Sequence, residues 1–188
     1  ALKYKNQKGV VICYHGDGAV DEGVYWESLN FASLHKLPIL FVCENNKYAI
    51  YTHQRKRMLG DSISDRANSF GIKSFKVKGI STEDFYNAAA NSLEKIKKDS
   101  DPMLIECSTT RWRDHVGPGE DRHIKFRTHK ELDDAIKNDD LKRMEKLLSE
   151  EDVKNIKHEA NTKIDDAIKY SERSSFPELS EITEEVYG

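Results

Sequence analysis

The sequence predicts an α/β fold with three layers, a parallel sheet carrying helices on both faces, followed by a helical C-terminal appendage. In the first 107 residues, short apolar runs alternate with amphipathic stretches, which is typical of strand-helix-strand units around a parallel sheet. The alternation then stops, and from Glu131 to Tyr170 the pattern is almost wholly helical. We therefore expect an α/β domain over residues 1–128 and a helical appendage with a tail over residues 129–188.

The first strand-helix-strand unit is predicted from residues 10 to 43. Val10 to Tyr14 has the pattern of a strand, and Glu22 to Lys36 has that of a helix that stops before Pro38. Ile39 to Cys43 is predicted to be a second strand, and its near-continuous apolar character indicates burial on both faces. A parallel crossover joins the two strands.

Two further strands and two helices complete the predicted domain. Ser64 to Phe70 is expected to form a short helix, and Ser74 to Val77 a third strand. Ser81 has the features of a helix N-cap and begins a longer amphipathic helix, after which Met103 to Cys107 forms a fourth strand.

The remaining segments are a loop and a tail. Ser108 to Thr128 is a polar, arginine-containing loop longer than most connections in compact domains, and such loops are usually functional or disordered. Ser174 to Gly188 is expected to be an extended tail that docks through a few apolar anchors. These anchors are Phe176, Pro177, Leu179, Val186 and Tyr187.

Charge and composition exclude some classes of protein. The formal net charge is -3, from 30 basic and 33 acidic residues, which argues against a nucleic-acid binder. No apolar run approaches the roughly 20 residues of a membrane helix, so we expect no membrane partner. Cys13, Cys43 and Cys107 lack C-x-x-C spacing and are expected to be buried strand thiols, which suits the cytoplasm or another reducing intracellular compartment. The start without Met, close to a strand, suits a fragment or one part of a split polypeptide.

The segment from His15 to Gly23 lies between the first strand and the helix that follows it, where open parallel sheets bind ligands. Gly16 and Gly18 let the backbone approach a ligand, and the free N–H groups of the helix favour an anion such as phosphate. Asp17 would repel a phosphate unless a hard divalent cation lay between them. The segment therefore predicts both phosphate and magnesium.

The second strand supplies further candidate ligands where it ends. Asn46 follows Asp17 by 29 positions and is expected to lie beside it, because parallel strands end at the same edge of a sheet. An amide oxygen and a loop carbonyl are suitable donors for magnesium. Gly-Asp-Gly alone is a common turn sequence, and G-x-G-x-x-G does not fit because position 21 is Asp21. Arg55, Lys56 and Arg57, a little further on, are interpreted as solvated surface.

Gly16-Asp17-Gly18 followed by Asn45-Asn46 at this spacing resembles the thiamine-diphosphate motif. From Gly16 to Ile50 the chain is similar to E1 alpha subunits of 2-oxo acid dehydrogenases more than to transketolases. The similarity continues to Thr128 and covers essentially the whole chain, which corresponds to the C-terminal half of such a subunit. It implies the thiamine-diphosphate-binding fold.

The resemblance assigns roles to individual residues. It implies Mg²⁺ on Asp17, Asn46 and the backbone carbonyl of Tyr48, and the diphosphate of thiamine diphosphate against Gly16, Gly18 and Ala19.

In the long loop, the resemblance implies that His115 touches the diphosphate and assists acyl transfer, and that Arg111 orders the loop. A histidine has an ordinary pKa near 6.5 and can donate or carry a proton. Without the resemblance, His115 is merely a loop histidine. The loop also departs from the mammalian pattern, because Val116 replaces the regulatory serine.

The activity implied is oxidative decarboxylation of a 2-oxo acid with acyl transfer to a lipoyl carrier, in a heterotetramer. The implied partners are an E1 beta subunit, which supplies the activating glutamate, the missing N-terminal alpha half and a lipoyl acyltransferase. This chain alone is therefore expected to be inactive and to bind thiamine diphosphate weakly. Two alternatives stay open at this point, namely an acetoin dehydrogenase or transketolase-like enzyme, and a non-catalytic assembly fragment.

Overall fold

The computed structural model describes residues 1–77, 79 and 81–184, apart from the side chains of Asp121 and Glu184. It divides into two compact units, Ala1–Asp140 and Leu141–Gly188. None of the helices within the described ranges is long and apolar enough to cross a membrane.

A parallel sheet forms the centre of the first unit. Over the described residues it has four strands in the order β1-β2-β6-β5, and every neighbouring pair is parallel, as predicted. A short antiparallel hairpin, β3-β4, follows β2. The strands are β1 (Val11–Gly16), β2 (Ile39–Asn45), β3 (Tyr48–Ala49), β4 (Thr52–His53), β5 (Lys73–Val77) and β6 (Met103–Ser108).

Helices cover both faces of the sheet, which confirms the three-layer prediction. On one face, α1 (Gly23–Leu34) and α2 (Ile63–Asn68) pack in a cluster that includes Leu29, Ala67 and Leu104. On the other face, α3 (Thr82–Asp99) packs in a cluster that contains Ala88, Ile96, Leu40 and Ile105. Burial of this apolar surface is the main term that stabilises the unit.

The N-cap of α3 is the one that the sequence predicts. Ser81 Oγ accepts a hydrogen bond from the N–H of Asp84, at 3.3 Å. The cap satisfies one of the amide groups that the first turn of a helix leaves without an internal partner.

The strands differ in burial. Leu40 to Cys43 in β2 are buried, as predicted from their apolar run. By contrast, β1 has one described neighbour, β2, and its Val11 and Tyr14 are 46% and 67% exposed. The prediction that all three cysteines are buried was wrong for Cys13, which is exposed because it lies on this edge strand.

The helical region after the long loop is interrupted rather than continuous. The first unit contains α4 (His129–Lys137), and α5 (Asp140–Glu145) crosses the boundary between the units. In the second unit, α6 (Glu150–Arg173) begins at the N-cap Ser149, whose Oγ accepts a hydrogen bond from the N–H of Asp152 at 3.1 Å. Such caps favour a new helix over continuation of the old one.

The tail was predicted to be extended, but part of it is helical. A short helix, α7 (Glu181–Glu184), forms within it. The expected anchors Phe176 and Leu179 are exposed, and Val186 and Tyr187 lie outside the described residues.

Candidate functional site

Three strand ends meet at one edge of the sheet. In the parallel register, Gly16 of β1 lies opposite Glu44 of β2, and Asn45 of β2 lies opposite Ser108 of β6. The polar segments that follow these strands therefore begin side by side, and the sequence predicts this for β1 and β2. This is the edge at which open parallel sheets bind ligands.

A 3₁₀ turn, Asp17–Asp21, follows β1 and is fixed to the protein interior. Val20 is buried in a small cluster with Cys43, Met58 and Ile63. The indole Nε1 of Trp26 in α1 donates a hydrogen bond to the carbonyl of Val20, at 2.9 Å. These contacts hold the turn, and with it the Asp17 carboxylate, in one position.

Asp17 is 1% exposed, and its two carboxylate oxygens differ in environment. Oδ2 accepts a hydrogen bond from Arg57 Nη2 at 2.5 Å. Oδ1 is buried and has no hydrogen-bond partner among the described residues. A buried, unpartnered carboxylate oxygen is costly, so it is a strong candidate to bind a cation.

Arg57 is not the solvated surface residue that the sequence suggested. Its side chain is 11% exposed and pairs with both Asp17 and Asp21, while its Nε donates to the carbonyl of Thr52 at 3.0 Å. Arg55 is exposed and pairs with Asp61 at 2.9 Å, in agreement with the surface interpretation.

The β3-β4 hairpin lies beside the 3₁₀ turn. A Cβ atom added to Gly18 would be 3.1 Å from Cβ of Ala49, so a larger residue at position 18 would press against the hairpin. Asn46 Oδ1 accepts a hydrogen bond from the N–H of Tyr48 at 3.0 Å, which leaves a second lone pair on this oxygen. The roles of Asn46 and of the Tyr48 carbonyl as metal ligands stay predictions.

The backbone at Gly16 is open on its outer side. A Cβ atom added there would meet no atom within 4 Å, and the φ angle of -83° is available to any residue. The backbone conformation at position 16 therefore does not require glycine. The absence of a side chain leaves open space on the outer side of the backbone. The predicted contacts of Gly16, Gly18 and Ala19 with a diphosphate stay predictions.

A buried carboxylate that sequence analysis missed supports the end of β2. Glu106 in β6 is 0% exposed, and its Oε1 accepts hydrogen bonds from Asn45 Nδ2 at 2.8 Å and Lys76 Nζ at 3.1 Å. Its Oε2 accepts the N–H groups of Ile63 and Ser64 at the start of α2, both at 3.0 Å. A single carboxylate inside an apolar strand was the available signal, because such a group is rarely buried unless it is paired.

Burial and hydrogen bonding shift the pKa values of three groups around the site. Burial would raise the pKa of Glu106, but hydrogen bonds from the Ser64 backbone, Asn45 and Lys76 outweigh it and hold the pKa below its usual value. Burial lowers the pKa of His15, against smaller opposing effects of the Gly16 carbonyl and Glu44. Burial likewise raises the pKa of Cys43, which favours the neutral thiol beneath the site.

Both ends of the long loop are attached to the hairpin region. The N–H of Thr109 donates to the carbonyl of Asn45 at 3.0 Å, and Arg111 Nη2 donates to the carbonyl of Ile50 at 2.7 Å. Near the other end of the loop, the ring of Phe126 lies 5.1 Å from the ring of Tyr48. The structure thus places Arg111 against the hairpin that also carries Tyr48.

His115 stands apart from these contacts. It is exposed, in a turn closed by a 2.9 Å hydrogen bond from the N–H of Asp114 to the carbonyl of Gly119. Over the described part of the chain, His115 has no hydrogen bond, ion pair or ring contact that connects it to Asp17. Its catalytic role stays a prediction, as does the loop-ordering role of Arg111.

The donor set at this edge suits a magnesium-bound diphosphate. No group of three or more His, Cys, Asp and Glu side chains within the described residues could hold a metal ion. Magnesium bound to a phosphate compound needs no such group, because it commonly uses one or two carboxylates together with phosphate oxygens and water. The unpartnered Oδ1 of Asp17, with the amide oxygen of Asn46, fits that requirement.

Comparison with known proteins agrees with the resemblance seen in the sequence. The alpha subunit of the pyruvate dehydrogenase E1 component of Rickettsia felis is 31% identical, and the match covers 100% of this chain and 58% of that protein. The alpha subunit of acetoin:2,6-dichlorophenolindophenol oxidoreductase of Bacillus subtilis is 35% identical, over 98% of this chain and 56% of that protein. This chain thus spans a little more than half the length of these relatives.

A transketolase structure from Campylobacter jejuni superimposes on 54% of this chain and 16% of its own, with a TM-score of 0.47 and 23% identity. Residues 1–180 match the family described as dehydrogenase E1 component. Since that match covers nearly all of the 188 residues, the chain belongs to the dehydrogenase E1 component family.

Proposed function

We propose that this chain is the cofactor-holding part of a thiamine-diphosphate-dependent 2-oxo acid dehydrogenase of the E1 alpha type. The enzyme would decarboxylate a 2-oxo acid oxidatively and transfer the acyl group to a lipoyl carrier. The observation that carries the proposal is the buried, unpartnered Oδ1 of Asp17 at the carboxyl end of β1, next to the hairpin that carries Tyr48. Membership of the dehydrogenase E1 component family supports it.

The cofactors would be thiamine diphosphate and Mg²⁺. Asp17, Asn46 and the backbone carbonyl of Tyr48 would bind the cation, and Gly16, Gly18 and Ala19 would lie against the diphosphate. Thiamine diphosphate supplies the carbanion-stabilising chemistry of the reaction when it is bound. The chain's own contribution is to hold the diphosphate end in a fixed place.

Rigidity is what these residues provide. The Asp17 turn is held by the buried Val20 and by Trp26, and the end of β2 is held by Glu106. A clamp whose ligands are already in place loses little conformational entropy when it binds, which favours affinity. The Asp17 carboxylate is also shielded from water, which strengthens its attraction to a cation.

The long loop would serve the transfer step. We propose that Arg111, through its hydrogen bond to the hairpin, orders the loop, and that the exposed His115 assists acyl transfer as a proton donor or acceptor. A loop that carries a histidine on its exposed part is suited to meeting a carrier group that arrives from solution.

The remainder of the site would come from partners. A beta subunit would supply the activating glutamate, an N-terminal alpha segment would supply further diphosphate contacts, and a lipoyl acyltransferase would receive the acyl group. Since the matched relatives are longer than this chain, we expect residues outside it to complete the site.

Acetoin is the second candidate substrate. The Bacillus subtilis relative named for acetoin is 35% identical to this chain, against 31% for the pyruvate dehydrogenase alpha subunit of Rickettsia felis. Both candidates share the same cofactor site, so that site alone does not distinguish them.

The cofactor part of the proposal is tested by calorimetric titration of thiamine diphosphate in excess Mg²⁺, in the complete assembly with the beta subunit and the N-terminal alpha segment. We expect Asp17→Asn and Asn46→Ala to lose most of the affinity, because each removes a proposed oxygen ligand. Asn91→Ala, at an exposed asparagine of α3, is the matched control and should bind as the native protein does. Near-normal affinity in both site variants would refute the assignment.

The substrate is tested in the complete assembly with its partner subunit. Pyruvate, branched-chain 2-oxo acids and acetoin are offered in turn, and lipoyl acylation is followed beside reduction of dichlorophenolindophenol. Lipoyl acylation from a 2-oxo acid supports the main proposal. Dye reduction with acetoin alone favours the second candidate, and cofactor binding without either activity would indicate a non-catalytic assembly role.

A further inference from the structure

Arg57 holds an unusual place for a residue that follows a surface hairpin. Its side chain is 11% exposed, and its guanidinium contacts the carboxylates of Asp17 and Asp21 through different nitrogens. The third nitrogen, Nε, donates to the backbone carbonyl of Thr52 in β4, at 3.0 Å. These contacts use three of the five N–H donors of the guanidinium and fix it beside the proposed cation ligand.

This contact changes what a cation would meet at Asp17. One of the two carboxylate oxygens already carries a positively charged partner at 2.5 Å, so the charge available to a divalent cation is reduced. A second cation at the same carboxylate is repelled by the guanidinium. Asp21, which is 33% exposed, shares the same guanidinium and offsets only part of this repulsion.

A diphosphate would offset the repulsion between the Arg57 guanidinium and a cation bound at Asp17. Arginine binds phosphate oxygens through charge-assisted hydrogen bonds, and its planar fork is well suited to them. If a cation arrives with a diphosphate, the guanidinium gains an anionic partner to replace the part of Asp17 that the cation takes. A cation that arrives alone brings no such compensation.

We propose that Arg57 couples the binding of the divalent cation to that of the diphosphate, so that the site takes up the two together and discriminates against the free cation. The inference rests on the proposed function, because it assumes that Asp17 is a cation ligand. It goes further by assigning a specificity role to a residue outside the Gly-Asp-Gly and Asn-Asn segments. Coupling between two ligands is reciprocal, so the diphosphate should strengthen cation binding by the same factor as the cation strengthens diphosphate binding.

The test measures the affinity of Mn²⁺, a substitute for Mg²⁺, through the electron paramagnetic resonance signal of the free ion. The native protein, in the complete assembly with the beta subunit and the N-terminal alpha segment, is titrated with Mn²⁺ alone and with saturating thiamine diphosphate, after correction for the complex that forms in solution. Arg57→Gln is compared with it. Arg55→Gln is the matched control, because it removes the same charge two residues away, where the side chain is exposed and pairs with Asp61.

We expect Arg57→Gln to bind Mn²⁺ alone on the order of tenfold more tightly, since a neighbouring charge commonly changes the affinity of a carboxylate for a cation by this much or more. The strengthening by thiamine diphosphate should shrink in this variant, while Arg55→Gln behaves as the native protein. Circular dichroism of the metal-free proteins checks folding. If Arg57→Gln is unfolded, Arg57→Lys, which keeps the charge but not the fork, carries the test and should show a smaller change in the same direction.

The outcomes separate this inference from the proposed function. If the native protein binds Mn²⁺ with thiamine diphosphate and the Arg57 variants bind Mn²⁺ alone no more tightly, the coupling role is overturned and the proposed function stands. If the native protein binds no Mn²⁺ even with thiamine diphosphate, both are overturned. Equal tightening in Arg55→Gln would show a general charge effect and would also overturn the coupling role.

Discussion

Asn45 Nδ2 lies 2.8 Å from Glu106 Oε1, so a fully buried carboxylate in β6 holds the amide with which β2 ends. The same carboxylate accepts two backbone N–H groups at the start of α2. Asn46, the proposed cation ligand, follows directly after this fixed point. The position of the proposed site therefore depends on a residue that is not one of the proposed ligands.

Replacement of Glu106 by glutamine should destabilise the first unit. An amide nitrogen would face either the donors of Asn45 and Lys76 or those of Ile63 and Ser64, which leaves buried donors unsatisfied. Breaking a buried charge pair in this way typically costs about 3 kcal/mol or more. Urea denaturation measures the loss, and Glu44→Gln, at an exposed carboxylate of β2, should stay within about 0.5 kcal/mol of the native protein.

The stability provided by Glu106 should also depend on pH. Its pKa in the folded chain lies below the unfolded value of about 4.3, so its contribution is fully present above that pH. The contribution is lost as the pH falls through the folded pKa. The difference in unfolding free energy between the native protein and Glu106→Gln should therefore narrow at low pH, and a difference that widened would contradict the role given to this carboxylate.

Gly16 and Gly18 should respond differently to alanine. Gly18→Ala introduces a Cβ atom 3.1 Å from that of Ala49, and such overpacking costs about 1 kcal/mol or more. Added to it, Ala49→Gly should recover part of the loss, which a double-mutant cycle measures. Gly16→Ala meets no protein atom within 4 Å, so it should leave thermal stability unchanged and weaken thiamine diphosphate binding. Unchanged cofactor affinity in Gly16→Ala would remove this glycine from the site.

Loss of the His115 side chain should affect turnover rather than folding. The residue is exposed, so His115→Ala should change the unfolding free energy by less than about 0.5 kcal/mol. Loss of a proton donor or acceptor typically slows a reaction by about 10² to 10⁴. Single-turnover acylation of a lipoyl domain measures this rate, with His123→Ala, an exposed histidine of the same loop, as control. A native rate of acylation in His115→Ala would withdraw the assignment.

The three cysteines should differ in reactivity. Cys13 is exposed, whereas Cys43 and Cys107 are buried, and burial raises the pKa of Cys107 to about 11. Since the thiolate is the reactive form, a water-soluble disulfide reagent should modify Cys13 first in the folded chain and all three after unfolding. Mass spectrometry identifies the sites, and Cys13→Ser should abolish the early reaction. Early modification of Cys43 would contradict the packing of β2.

The sequence predicted what depends on local pattern. The strands, the crossover and the Ser81 cap follow from periodicity and from contacts within a few residues. Two contacts depend on the tertiary fold instead: Arg57 with Asp17, which are 40 positions apart, and Glu106 with Asn45, which are 61 positions apart. A local sequence pattern cannot predict such contacts. Cys13 was misjudged for a similar reason, because the exposure of a strand depends on how many neighbours the sheet gives it.

The exposed side of β1 has a consequence for how this chain behaves at high concentration. Within the described residues β1 has one neighbour, so its other edge presents backbone N–H and C=O groups that can pair with another strand, and Val11, Ile12 and Tyr14 add apolar surface there. Intermolecular strand addition there would lead to aggregation by growth along the sheet. The turn that carries Asp17 begins where this strand ends. The edge that could pair with another molecule and the proposed cofactor site therefore belong to the same strand and the turn that follows it.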